Sequence, residues 1–200
     1  MLKNLELLTP FIIVAYTMWT TPGPNNMMLT YSGARFGLKR TMPHIAGIIF
    51  GTMVLNYLAI MGLKPLMEKW PQLLLVLKVV GSVWLVLIGW KMANAGKIGS
   101  AAEEEQPMRF LSAALFQFAN PKAIVATLAL VSLVLVAIKE QPSLLWWVML
   151  IMPPLSFVSI FPWAVAGRSI RRFLSTPTRW KIFKWTTGGL TAACAVFLWI

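Results

Sequence analysis

The sequence predicts an all-α integral membrane protein with six transmembrane helices. Of its 200 residues, 58% are hydrophobic and only 12% are charged, and the mean hydropathy is +0.72. Soluble domains usually carry about 25% charged residues. Six apolar runs are each long enough for a helix of ~20 residues to cross a bilayer. We expect one membrane domain over 1–200, because every gap between the runs is too short for a separate folded domain.

The apolar runs define the predicted helices in chain order. They are Leu5–Tyr31, Pro43–Leu63, Leu73–Lys91, Phe110–Ala137, Leu144–Ala166 and Phe183–Ile200. The connections between them are Ser32–Met42, Lys64–Gln72, Met92–Arg109, Ile138–Ser143 and Gly167–Ile182. The loop 92–109 joins two halves of about 1–95 and 108–200. The first run is too long for a cleavable signal, so we expect it to remain in the mature protein.

The positive charges divide unequally between the two sides of this arrangement. One side receives Lys3, Lys64, Lys69 and Lys139, and the other receives Arg35, Lys39, Arg40, Lys91, Lys97, Arg109, Arg168, Arg171, Arg172, Arg179, Lys181 and Lys184. Loops rich in Lys and Arg stay in the cytoplasm. We therefore expect the loop 92–109 to be cytoplasmic and both termini to be periplasmic. Topology explains the net charge of +12 without a nucleic-acid partner.

The helix count also predicts internal symmetry. Each half has three helices, an odd number, so the halves enter the membrane from opposite sides. This arrangement permits two inverted three-helix repeats, which is a common plan among transporters.

The first predicted helix contains TTPGPNN, at residues 20–26. Pro22 and Pro24 have no backbone N–H to donate, and Gly23 adds conformational freedom. We expect the helix to be interrupted here, with Asn25 and Asn26 just after the break. At ~1.5 Å per residue from the cytoplasmic end, the break lies near the middle of the bilayer.

A second break is predicted at FANPKA, in the first helix of the second half. Asn120 is a good N-cap, Pro121 suits the first helical position, and Lys122 follows. This break has a similar depth to the first. Paired helices interrupted by Pro or Gly are the best sequence indication of a transporter binding site. We therefore predict one substrate site formed by Pro22, Gly23, Pro24, Asn25, Asn26, Asn120, Pro121 and Lys122.

The residue types at these breaks favour an anionic or zwitterionic ligand. Half-helix N-termini present free N–H groups that suit a carboxylate. The chain contains no Asp, and all six Glu residues lie at helix ends or in loops. No metal site and no cofactor are therefore expected. Lys122 is costly in a membrane unless it has a bound carboxylate, carbonyls, a wet cavity or a neutral state.

Simpler interpretations of the same residues remain open. TPGPNN is also compatible with an ordinary kink, and Lys122 with a snorkelling or lipid-phosphate contact. His44 is most simply a surface or capping residue, and Cys194 a small buried residue. Gly47 and Gly51 indicate close helix packing.

The motifs resemble those of the LysE/RhtB amino-acid exporters. The resemblance rests on TPGPNNMMLTYSGARFGLKRTMPHIAGIIFG, GSVWLVLIGWKM, FLSAALFQFANPKA and WAVAGRSIRRF, and it covers essentially the whole chain. It implies an inner-membrane exporter with six helices that is driven by the proton gradient. The form FQFANPK is similar to the cysteine/O-acetylserine branch. Unlike many members, the chain has no further proline-containing segment after N-P-K.

The function expected from this resemblance is export of small neutral amino acids or derivatives, such as cysteine and O-acetylserine, with protons as the coupling ion. Alternatives are export of homoserine and threonine or of basic amino acids, and a non-transporting membrane subunit. A heavy-metal exporter is disfavoured by the lack of soft or acidic ligands. An enzyme is not expected, because one His, one Cys and no membrane carboxylate offer little for catalysis. The sequence is compatible with a homodimer.

Overall fold

A computed structural model describes residues 2–61, 71–96, 106–196 and 199. Every regular element in these residues is a helix, which confirms the all-α class. The α-helices there are α1 (Leu2–Thr20), α2 (Pro24–Phe36), α3 (Leu38–Ile60), α4 (Pro71–Ala93), α5 (Phe110–Phe116), α6 (Pro121–Glu140), α7 (Leu144–Ile170) and α8 (Pro177–Ala193). Two 3₁₀ segments, Gln117–Ala119 and Arg171–Leu174, follow α5 and α7.

The predicted connection Ser32–Met42 is wrong, because both flanking helices extend through it. Helix α2 continues to Phe36, and α3 begins at Leu38. Gly37 alone separates them, with a φ of 78° that favours glycine. The basic residues of this stretch predicted a loop, but they lie in the terminal turns of two helices.

The predicted connection Gly167–Ile182 is also largely helical. Helix α7 runs to Ile170, and α8 begins at Pro177, six residues before the predicted start at Phe183. The side chain of Thr176 caps α8 by accepting from the backbone N–H of Arg179 at 3.4 Å. Helix α8 ends at Ala193, before the predicted end of the last run. Most of Lys64–Gln72 and the middle of Met92–Arg109 lie outside the described residues.

Three helical stretches among the described residues are long and apolar enough to cross a membrane. They are Leu38–Ile60, Pro121–Lys139 and Leu144–Leu174. A shorter apolar stretch, Phe110–Ala119, precedes the second of them. These correspond to the second, fourth and fifth predicted spans, and the count of six stays a prediction.

Helices of the first half pack mainly on helices of the second. Helix α2 packs against α7, α4 against α8, and α3 against α5, while α1 lies against α6 and α7. A Cβ on Gly33 would collide with the backbone of Ala164, and one on Gly167 with the backbone of Thr30. Helices α2 and α7 are therefore in backbone contact along this crossing.

Two further crossings depend on small residues in the same way. A Cβ on Gly51 would collide with Ala114 of α5, which confirms the close packing predicted there. Gly89 of α4 and Gly188 of α8 face each other, and a Cβ on either would lie 2.5 Å from the other's carbonyl oxygen. The α2–α7 and α3–α5 crossings hold interrupted helices against long ones, and the third crossing joins α4 to α8.

Candidate functional site

The first interruption separates α1 from α2 at residues 21–23. Pro24 is the first residue of α2, and Gly23 precedes it as N-cap without a side-chain hydrogen bond. The backbone of Gly23 is extended, with φ 177° and ψ 180°. An extended backbone suits other residues too, so the predicted need for conformational freedom at Gly23 is wrong.

Space explains the glycine instead. A Cβ at Gly23 would lie 2.6 Å from Cδ and 3.2 Å from Nζ of Lys122. The lysine from the second break therefore passes directly over the first break.

The second interruption has the predicted form. Helix α5 tightens into a 3₁₀ turn, Gln117–Ala119, and α6 begins at Pro121. Asn120 caps α6, because its Oδ1 accepts from the backbone N–H of Lys122 at 3.2 Å. Asn120 is almost fully buried, so this cap lies inside the protein.

The carbonyl groups at the end of α1 receive hydrogen bonds from side chains. Prolines 22 and 24 cannot donate to them. The Nδ2 of Asn26 donates to the oxygens of Trp19 at 2.9 Å and Thr21 at 2.7 Å. Trp163 Nε1, from α7, donates to the oxygen of Thr20 at 3.0 Å. The negative end of α1 is thus surrounded by donors.

Lys122 is the charged member of this set of donors. Its Nζ donates to the oxygen of Thr21, and to that of Pro22 at 3.2 Å. The sequence predicted four ways in which Lys122 could be tolerated in the membrane. In the structure, backbone carbonyl groups bind its ammonium group. The side chain is only partly buried.

A pair of amides links the two interruptions directly. Asn25 Nδ2 donates to Gln117 Oε1 at 2.8 Å, and Gln117 Nε2 donates back to Asn25 Oδ1 at 3.2 Å. Gln117 is fully buried and also donates to the oxygen of Ala113 at 2.9 Å. Gln117 was not among the predicted site residues. A glutamine inside an apolar run, just before N-P-K, could have indicated it.

A small cavity lies where the two interruptions meet, and we call it the break cavity. Its volume is about 30 Å³. It is lined by Met18, Trp19, Gly23, Asn25, Asn26, Ile48, Thr52, Gln117, Asn120, Lys122, Ala123, Ser156 and Ile160. The hydroxyl-bearing residues Thr52 and Ser156 were not predicted. A cavity of this size holds about one water, so the site is closed in this conformation.

The structure brings the predicted residues together from both halves. Gly23, Asn25, Asn26, Asn120 and Lys122 line the break cavity. The three prolines stand at the breaks: Pro22 accepts from Lys122, while Pro24 and Pro121 begin α2 and α6. No cluster suited to holding a metal ion occurs among the described residues.

A second, larger cavity lies beside α4, and we call it the α4 cavity. Its volume is about 1030 Å³. Its lining includes Tyr31 and Ser32 of α2, His44 of α3, Trp84 of α4 and residues 106–109. It lies one to two helical turns along α2 and α3 from the break cavity.

Comparison with known proteins identifies the family. A family model described as LysE type translocator matches residues 16–200. The chain belongs to the LysE family. No solved structure gives a significant match to this LysE-family chain.

Curated relatives of the LysE-family chain are efflux proteins. A cysteine/O-acetylserine efflux protein of Klebsiella pneumoniae is 26% identical over 194 residues, covering 94% of this chain and 97% of the relative. A protein of the same name from Salmonella paratyphi A is 26% identical over 176 residues, 82% of this chain and 87% of the relative. A leucine efflux protein of Klebsiella pneumoniae is 30% identical over 120 residues, 57% of this chain and 56% of the relative. Apolar helices and these relatives agree with a membrane transporter.

Proposed function

We propose that the protein exports small neutral amino acids or their derivatives, of the cysteine and O-acetylserine type, from the cytoplasm across the inner membrane. The observation that carries this proposal is the meeting of two interrupted helices, one from each half, at one cavity. Each second half-helix starts with a proline and points its N-terminus to that place. The names of the relatives support an amino acid as the substrate.

The break cavity offers separate partners for the two charged ends of an amino acid. Lys122 and the N-termini of α2 and α6 suit the carboxylate. The ammonium group has hydroxyls at Thr52 and Ser156, amide oxygens and backbone carbonyls available. The described residues that line the cavity include no acid, which favours a neutral amino acid over a basic one.

Lys122 links substrate binding to the shape of the first break. In the closed conformation its ammonium group is bound by the oxygens of Thr21 and Pro22. A substrate carboxylate is a stronger acceptor than a carbonyl, because both partners are then charged. Binding of the carboxylate would therefore draw Lys122 away from the first break and release those carbonyls.

We further propose six spans in two inverted three-helix repeats over a single transporter domain, 1–200. The packing supports two related halves, because the second predicted span of each half lies against the interrupted span of the other half. Helix α7 packs on α1 and α2, and α3 packs on α5 and α6. The third helices, α4 and α8, pair through Gly89 and Gly188 in a reciprocal contact. The positive charges support a cytoplasmic loop and periplasmic termini.

Orientation has a direct test. With Cys194 changed to Ala and Ser100 changed to Cys, an impermeant thiol reagent added to intact cells should leave the protein unlabelled. Labelling from outside would reverse the proposed orientation.

Transport itself is tested with purified protein in proteoliposomes. We expect accumulation of labelled cysteine, O-acetylserine or leucine, and a pH gradient should drive it by proton antiport. A panel that includes threonine, homoserine and lysine separates the alternatives. Transport of lysine alone would keep the family and refute the neutral substrate class, and transport of none would refute the proposal.

A further inference from the structure

The α4 cavity contains the sole histidine of the chain in an unusual environment. His44 is 1% exposed and lines the cavity. Neither its Nδ1 nor its Nε2 has a hydrogen-bond partner among the described residues. The prediction of a surface or capping role for His44 is therefore wrong. A buried imidazole without a hydrogen-bond partner among these residues is costly, so a ligand that supplies such a partner is expected to bind it.

The surroundings of His44 are basic rather than acidic. Tyr31 from α2, Lys91 from α4 and Arg109 before α5 are the other ionisable residues that line the cavity. Helix α5 has no ionisable residue, and Arg168 of α7 lines a different groove together with Lys39. In α6, Lys122 lines the break cavity. The described residues that line the cavity include no acid, so the neutral imidazole is the nitrogen acceptor that they offer to an ammonium group.

His44 is also close to the proposed substrate site. On α3 it lies four residues before Ile48 and eight before Thr52, both of which line the break cavity. At 1.5 Å per residue these are separations of about 6 and 12 Å along the helix. The α4 cavity, at about 1030 Å³, is large enough for an amino acid.

We propose that His44 is the proton-binding residue of this transporter. As the substrate passes through the α4 cavity on its way to the break cavity, the imidazole nitrogen holds either the substrate ammonium or a proton, one at a time. This inference rests on the proposed export function. In the neutral state the nitrogen accepts a hydrogen bond from the ammonium. When a proton binds that nitrogen, its lone pair is used and the imidazolium repels the ammonium group. Mutual exclusion of this kind is the linkage that antiport requires.

The first test separates coupling from transport in proteoliposomes. The full chain carries an affinity tag without histidines, so that His44 stays unique. His44→Gln should lose gradient-driven accumulation by about tenfold or more. Its counterflow, the exchange of labelled for unlabelled amino acid without a pH gradient, should fall less than this, because the amide oxygen of glutamine still accepts a hydrogen bond from the ammonium. The pH dependence of that counterflow should flatten.

The control is Ser132→Ala, on an exposed face of α6, which should match the wild type in both assays. Gradient-driven accumulation by His44→Gln at the wild-type level would overturn the inference. A wild-type protein that counterflows but ignores the pH gradient would refute proton coupling, and with it the inference, while export would stand. A wild-type protein without counterflow would refute the export proposal itself.

A second measurement covers the case in which His44→Gln fails to fold. Wild-type protein with isotope-labelled histidine gives one imidazole signal by NMR, because the chain has one histidine. We expect this signal to titrate across the pH range in which the gradient drives transport. The neutral amino acid with the fastest counterflow, at saturation, should move the midpoint to lower pH, because it competes with the proton. A titration that the amino acid leaves unchanged would overturn the inference.

Discussion

The two helix interruptions differ in where their hydrogen-bond partners originate. The second is locally complete, because Asn120 caps α6 through the N–H of Lys122, two residues further on. The first has no side-chain cap at Gly23. The carbonyl groups of the first interruption accept from the nearby Asn26 and from two distant residues. Trp163 is 143 residues from the carbonyl that it donates to, and Lys122 is 101 residues from its own acceptor.

This difference assigns different roles to the two interruptions. The Asn120 cap joins residues two apart, so this hydrogen bond does not depend on distant segments. The first interruption keeps its geometry only while Lys122 and α7 stay in place. A ligand that attracts Lys122 would therefore change the first interruption and leave the second intact. The following predictions test this asymmetry.

The largest effect is expected for Lys122→Met. This change removes the ammonium group that binds the carbonyls of the first break and, in our proposal, the substrate carboxylate. Because a charge-assisted contact contributes ~1.5–3 kcal/mol, export should fall about tenfold or more. Lys122→Arg should restore it only in part, because a planar fork is not a compact charge. The measurement is efflux rate per membrane-inserted molecule.

The matched control for Lys122→Met is Lys78→Met. Lys78 lies 5.8 Å from the ring centroid of Trp199 and does not line the break cavity, so its loss should leave efflux unchanged. Near-normal efflux by Lys122→Met would remove the lysine from the site and leave only the backbone interruptions.

The amide pair that joins the interruptions should contribute to stability. Gln117→Ala leaves Asn25 without its partner and should lower the free energy of unfolding by about 1–3 kcal/mol. Asn25→Ala and Gln117→Ala should be less than additive, because they remove the same contact. Denaturant unfolding of the detergent-solubilised protein measures both effects.

A control for this pair is Gln141→Ala. Among the described residues, the Gln141 amide donates to the Ser143 hydroxyl alone, at a helix end. Full additivity of the two single changes would show that the amides act independently.

Gly23→Ala tests whether the two interruptions are coupled through space. The added Cβ would displace the Lys122 side chain. Export should fall by about fivefold, equivalent to ~1 kcal/mol. In the Lys122→Met background the same substitution should have no further effect.

Gly189→Ala serves as its control, since a Cβ at Gly189 would meet no atom of another described segment within 4 Å. An equal loss of export from Gly23→Ala with and without Lys122 would show that the two residues act separately.

The smallest effect is expected for the local cap. Asn120→Ala should reduce stability by at least ~0.5 kcal/mol, with a modest loss of efflux, whereas Asn120→Ser should keep the cap and both properties. Circular dichroism during thermal unfolding compares the two variants. Equal behaviour of the alanine and serine variants would show that Asn120 contributes nothing as a cap.

The sequence by itself determined where the helices are interrupted. Pro22, Pro24 and Pro121 lack a backbone N–H, and Asn120 is a strong N-cap, so these effects act within a few residues. The all-α class follows equally directly from apolar runs of helical length. Helix ends in basic stretches were predicted less well, because Arg35 and Lys39 are compatible with a loop or with the terminal turns of a helix.

Only the tertiary structure decided which groups form hydrogen bonds and contacts with the interruptions. Lys122 could have met a carboxylate, carbonyls or lipid, and its contact with Thr21 and Pro22 depends on the packing of segments 100 or more residues apart. The same packing determines that Gly23 is needed for space and that Gln117 pairs with Asn25. It also buries His44 beside a large cavity. Local sequence cannot encode these contacts, because each requires side chains from different helices to occupy one place.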